Sequence, residues 1–232
     1  MTKPVALITG AGSGLSASLA RMFAHEGYKV VLAARDAGKL TSLAMETGAS
    51  VHACDVTNAS DVEDLFAAIQ GPLRVAVAHP SARVRGAIAD LDPEDVRQAL
   101  MITAYGSFLV GQEAARVMLE QEPENGVRGT ILFTGASAGV KGYPQSAPFA
   151  MGKFAQRGLA QSMSRELHPK GIHVAWINID GGIRNPGREE PADKPDSMLD
   201  PEAIAQTYLA LVNQDRSAWS AEIAVRPWVE TF

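Results

Sequence analysis

Val5-Ala6-Leu7-Ile8-Thr9-Gly10-Ala11-Gly12-Ser13-Gly14-Leu15-Ser16 stands almost at the start of the chain, and its reading decides the fold. Val5–Thr9 is an almost wholly apolar run bounded by Pro4 and Gly10, the pattern of a short strand buried on both faces of a parallel sheet. From Leu15 to Glu26 the period changes: Leu15, Leu19, Met22 and Phe23 recur at helical spacing, and Gly27 stops the helix. Between strand and helix lies a glycine-rich loop. Glycine lets the backbone turn sharply and approach a diphosphate with no Cβ in the way. The helix start adds free N–H groups and the positive end of the helix dipole. The loop therefore predicts a dinucleotide cradle, with Gly10, Ser13, Gly14 and Leu15 as candidate contacts.

The same alternation continues along the chain. Strands are expected at Tyr28–Ala34, Ser50–Cys54, Leu73–Ala78, Thr130–Thr134, Ile172–Ile179 and Glu222–Val225. Helices are expected at Ala37–Thr47, at Asn58–Ile69 with Asn58 or Ser60 as cap, and from Pro93 through Met118 with a break. Two more cover Ala150–Leu167 and residues 202–213. Strands alternating with helices predict a doubly wound parallel sheet in a three-layer α/β/α, Rossmann-type fold. Residues 1–232 read as one domain, with no repeat or linker to divide them. The ligand belongs beyond the carboxyl ends of the strands.

Composition narrows the function classes. A hydrophobic fraction of 46% supports a sizeable core, and a net charge of -5 gives no electrostatic reason to expect nucleic acid or an anionic membrane as partner. The single cysteine, Cys54, fits a reducing compartment and excludes an internal disulfide framework. No metal site is expected, because the histidines are scattered; His25, His52, His168 and His173 read as surface or packed side chains. No signal segment or membrane span is read, which makes the cytoplasm the expected location.

Thr9-Gly10, three residues and Gly14 resemble the cofactor loop of the short-chain dehydrogenase/reductase family. The resemblance runs from Thr9 to the Arg226-Pro227-Trp228 segment and implies an oxidoreductase using a nicotinamide dinucleotide. Where the family carries a further glycine, this chain has Ser16, whose side chain should push helix and strand apart or move the diphosphate. The family's NAD-selecting carboxylate at the end of the second strand is replaced by Ala34, and Arg35 follows. A guanidinium can pair with a 2′-phosphate, so NADP(H) is favoured over NAD(H), with Asp36 left as a residue that could still face the ribose. Asp55-Val56 resembles the adenine-contacting segment, and Ile183 is placed to meet the carboxamide.

The resemblance breaks at the chemistry. The family uses a tyrosine and a lysine four residues apart on one helix; here the lysine is Lys153 and the tyrosine position holds Phe149. The serine that polarises the substrate falls on Ser137 or, in the other register, on Ala136. Thr103 stands at the asparagine position, and Ala78-His79-Pro80-Ser81 replaces the family's Asn-Asn-Ala-Gly. Lys153 and Ser137 are the catalytic candidates, with Tyr143, Tyr105 and His79 as possible substitute proton donors.

Two readings follow: an NADP(H)-dependent oxidoreductase acting on a small carbonyl, alcohol or imine with a non-standard proton donor, or a non-catalytic dinucleotide-binding sensor or assembly protein. Family relatives imply a homodimer or homotetramer, compatible with apolar helix faces at 97–118 and 150–167 and with Trp219 and Trp228. The segment from Arg184 to Leu199, rich in proline and charge, reads as a mobile lid, whose Arg184 and Arg188 could favour an anionic substrate.

Overall fold

Every residue of Val5–Thr9 (β1) is buried, and its side chains divide between two cores. Val5 and Leu7 join Val62, Phe66, Val110 and Trp176, whereas Ala6 and Ile8 meet Leu19, Phe23, Ile204 and Tyr208. Successive side chains of a strand point to opposite faces, so a strand covered on both sides must be apolar throughout. The computed structural model describes residues 2–230.

After β1 come Leu15–His25 (α1), Lys29–Ala34 (β2), Thr41–Thr47 (α2), Ser50–Ala53 (β3), Ala59–Ala67 (α3) and Leu73–Ala78 (β4). Then follow Pro93–Leu100 (α4), Gly106–Glu120 (α5), Gly129–Thr134 (β5), Ala147–Leu167 (α6) and Ile172–Ile179 (β6). Two short strands, Gly182–Ile183 (β7) and Met198–Leu199 (β8), pair with each other ahead of Pro201–Val212 (α7) and Glu222–Val225 (β9). The main sheet has seven strands in the order β3-β2-β1-β4-β5-β6-β9, every pair parallel. Residues of α1 and α7 pack on one face, and residues of α3, α5 and α6 on the other. Strand order reverses between β1 and β4, which opens a crevice at their carboxyl ends.

Local chemistry sets the helix boundaries. Asn58 is the cap of α3, its side chain accepting from the Ser60 N–H at 3.0 Å; Asp200 caps α7 through the Glu202 N–H at 2.8 Å. The break expected between Pro93 and Met118 is a π turn over Met101–Tyr105. There the Ser107 hydroxyl donates to the Thr103 carbonyl at 2.7 Å. Helix α6 begins at Ala147, ahead of the expected Ala150, with Pro148 in its first turn, where an N–H has no helical partner to lose. The segment after β6 is tied down by the β7–β8 pair, by Arg184 to Glu190 at 3.5 Å, and by the Met198 N–H donating to Glu190 at 2.9 Å. Among the described residues no helix is long and apolar enough to cross a membrane.

Candidate active site

The crevice begins at the glycine loop. Gly10 has φ +70, and a Cβ there would lie 3.0 Å from the backbone of His79 and Pro80, so the ends of β1 and β4 meet only because that side chain is absent. Gly14 opens α1 and contributes no side-chain cap, which leaves the first-turn N–H groups pointing out of the helix. A Cβ built on Gly12 meets nothing within 4 Å. Ser16 turns its hydroxyl back onto the glycine loop. It is buried, and its Oγ accepts from the Gly12 N–H at 2.8 Å and donates to the Gly12 carbonyl at 3.1 Å. That cross-brace takes the Gly12 amide out of ligand binding.

A cavity of about 660 Å³ extends from this loop over the ends of β2 and β3, and Gly10, Ser13, Arg35, Asp55 and Val56 all line it. The Asp36 carboxylate is engaged by Lys39 at 3.3 Å, while Arg35, on the same rim, has no carboxylate within ion-pair distance among the described residues. One oxygen of Asp55 accepts from the Thr57 N–H at 2.9 Å and from the Thr57 hydroxyl at 2.8 Å. Asp55 thus both makes a turn and faces the cavity. Burial, with the Asp61 and Asp55 charges behind it, pushes the Cys54 thiol up to about 11, so this lining residue stays a neutral thiol.

A second cavity, of about 270 Å³, lies on the other side of the loop and is lined by Gly14, Leu15, Phe149, Lys153 and Ile183. His79 and Ser81 line both cavities and join them into one groove. Lys153 is buried; its Nζ donates to the Thr134 carbonyl at 2.7 Å and to Gln156 Oε1 at 3.3 Å. Burial, and then the charge of Arg83, push its ammonium down to about 7. Behind it runs a buried polar chain: Gln156 Nε2 donates to Ser107 Oγ at 2.9 Å, which donates to the Thr103 carbonyl. Thr103 in turn accepts from the Ala82 N–H at 3.0 Å, tying the chain to the loop beyond β4. Burial and the Lys153 charge hold His79 down at about 4, a neutral imidazole whose buried Nδ1 has no hydrogen-bond partner among the described residues.

The structure thus gathers Gly10, Ser13, Gly14, Leu15, Arg35, Asp55, Val56, Lys153 and Ile183 along a single groove. Ser137, the other catalytic candidate, is not among the residues lining the groove. Ala136, in extended conformation, lines the second cavity beside Thr134 and Gly135, and Ser137 begins the 3-10 turn Ser137–Gly139. Tyr105 stacks on Phe108 and Tyr143 lies under the Lys141 ammonium, and neither lines the cavity; of the substitute donors, His79 alone does. Trp219 stacks on His173 at 4.9 Å within the chain, while Trp228 is exposed. Sequence reasoning missed Gln156 and Ser107, though Gln156 lies one helical turn beyond Lys153 on the same face. It also missed Arg83, whose guanidinium covers the Phe149 ring.

The family model described as short chain dehydrogenase matches residues 4–190. An uncharacterized oxidoreductase of Staphylococcus aureus (strain N315) is 28% identical over 236 residues, 98% of each chain. Among solved structures, a short-chain dehydrogenase from Rhodopseudomonas palustris superposes with a TM-score of 0.83 at 33% identity, covering 98% of this chain and 100% of that one. BdcA, solved in complex with NADPH, superposes with a TM-score of 0.83 at 25% identity over 98% of this chain and 94% of its own.

Proposed function

This chain belongs to the short chain dehydrogenase family, and from that premise we propose that it is an NADP(H)-dependent oxidoreductase acting on a small carbonyl, alcohol or imine. One observation carries the reading. The groove holds an uncapped helix start at its centre, an unpaired guanidinium at one end and a buried lysine at the other. These features fit the three parts of a dinucleotide phosphate: the diphosphate at Ser13, Gly14 and Leu15, the 2′-phosphate at Arg35, and the nicotinamide ribose at Lys153. NADPH is the molecule held by BdcA. Lys153 spends two of its three donors inside the protein, which leaves one N–H for a ribose hydroxyl. Asp55 and Val56 face the adenine, and Ile183 the carboxamide.

The cofactor, when bound, supplies or takes the hydride. The chain's task is to orient the substrate and manage one proton. Phe149 stands at the family's tyrosine position and Ala136 at its serine position, and neither carries a hydroxyl. His79, a neutral imidazole where the cavities join, is the residue we assign to hydrogen-bond the reacting oxygen, with water delivering the proton. The lack of a hydroxyl at both positions also favours a second reading, a non-catalytic dinucleotide sensor or assembly protein on the same fold. A screen of small carbonyls and alcohols against the cofactor-loaded protein separates them: turnover supports the enzyme, and tight NADPH binding without any turnover supports the sensor. Phe108 and Leu119 on α5 and Met151 and Phe154 on α6 remain exposed and suit a homodimer or homotetramer.

A further inference from the structure

Among the described residues, seven of the fourteen arginines of this chain sit beside a carboxylate, but those at the second cavity do not. Arg83 and Arg188 both line it, and among the described residues neither has an ion-pair partner within 4.0 Å. No aspartate or glutamate lines the cavity at all. The lid's other arginine contrasts with them: Arg184 pairs with Glu190 at 3.5 Å and with Asp200 at 3.9 Å, and lines a different cavity. Arg83 is also held in place, its guanidinium carbon 4.3 Å from the centroid of the Phe149 ring. A guanidinium lying on an aromatic face keeps its N–H edge free, and that fork matches a carboxylate bidentately. Burial lowers its pKa, as do the nearby charges of Arg85 and then Arg188.

We propose that the substrate carries a carboxylate that pairs with Arg83, assisted by Arg188, making the reaction the interconversion of a small oxo acid and its hydroxy acid. This rests on the oxidoreductase reading above. In the reducing direction the carbonyl carbon accepts a hydride from NADPH and the carbonyl oxygen accepts a proton from water, whose O–H bond breaks to leave hydroxide for the solvent to neutralise; the C=O π bond is lost and NADP+ remains. Because the cavity of about 270 Å³ must take the nicotinamide end as well, the acid is small. The carboxylate on Arg83 places the substrate against the Phe149 ring, in front of the wall formed by Ala136 and Ile183.

The test uses the NADP+-loaded protein and three probe pairs: 2-oxobutanoate, acetoacetate and levulinate, each against its methyl ester. Dissociation constants are read by ligand-observed NMR, which needs no turnover. Losing a charge-assisted pair costs roughly 1.5–3 kcal/mol, about tenfold or more in affinity. The expected result is at least one acid bound roughly tenfold tighter than its ester. Arg83→Met, which keeps packing on Phe149, should erase that preference while NADPH binding stays within about twofold. Arg83→Lys should keep part of it and guards against a folding defect in the first variant. Equal affinity for acid and ester overturns the proposal, as does a preference that survives in both Arg83→Met and Arg188→Met. A loss of NADPH affinity in Arg83→Met with the acid preference intact also overturns it, and makes the arginine a cofactor ligand. Failure of every acid to bind a protein that takes NADPH sinks the proposal alone; failure to take NADPH sinks the oxidoreductase reading instead.

Discussion

The guanidinium carbon of Arg83 lies 4.3 Å from the centroid of the Phe149 ring, so a cation roofs a ring at the mouth of the second cavity. The ring itself is only 7% exposed, yet it lines the second cavity. Phe149→Tyr puts a hydroxyl on that lining, on the same helix as Lys153 and one turn before it. General acid catalysis is worth about 10²–10⁴ in rate. If the parent is a binding protein or a slow enzyme, the variant gains NADPH-dependent carbonyl reduction by at least ~10² in kcat. Steady-state assays of parent and variant check this; an active parent indifferent to the change places the donor elsewhere, with His79→Ala the next variant to assay.

Arg35 is the residue proposed to select the cofactor. With Asp36 occupied by Lys39, the free charge at the end of β2 is positive. Arg35→Ala removes a charge-assisted contact to the 2′-phosphate, so NADPH should bind roughly 10–100-fold more weakly. NADH, which lacks that phosphate, should change by no more than about twofold. Fluorescence titration of both cofactors reads the difference.

The Ser16 cross-brace is a stability element. Ser16→Ala loses the hydrogen bonds at 2.8 and 3.1 Å to Gly12. A net loss of about 1 kcal/mol is expected, seen as a Tm lower by about 2–4 °C for a domain of this size. Ser16→Gly should fall at least as far, since it also frees the backbone at the start of α1. Thermal denaturation of the three proteins without cofactor checks the order.

Lys153 ties stability to pH. Its ammonium is held near 7 in the folded protein, below the value of 10.5 for an exposed lysine. Between those values the unfolded chain binds the extra proton, so stability rises with pH across this window; below it both states are protonated and the burial penalty is complete. The Tm of the parent minus that of Lys153→Met should therefore increase from pH 7 toward pH 10. A difference that is flat with pH would show that the folded lysine keeps its ordinary affinity for protons.

How far the sequence carries depends on what sets each position. β1 and its loop are legible because burial on two faces writes a continuous apolar run and a close backbone approach demands Gly10. Arg35 and Lys153 are legible because each sits at a fixed step from a strand end or along a helix. The choice between Ala136 and Ser137 is not. It turns on where extended backbone gives way to a turn, and that point is set by packing: a Cβ on Gly135 would come within 2.3 Å of the Trp176 ring, from a strand far away in sequence. Arg83 is illegible for a similar reason. It lies in an irregular stretch after β4 with no period to read, and only the tertiary fold carries it over Phe149. Ser16 was readable as a departure from a glycine, but its bond back to Gly12 needed the loop's shape.

Direct titration of the unmodified protein with NADPH and NADH tests, without any need for a substrate, whether the groove between Arg35 and Lys153 is a dinucleotide site. Saturable NADPH binding, at least about tenfold tighter than NADH, is the result expected from an unpaired arginine facing the 2′-phosphate. Binding of neither cofactor would contradict the whole reading, and equal binding of both would remove Arg35 from it.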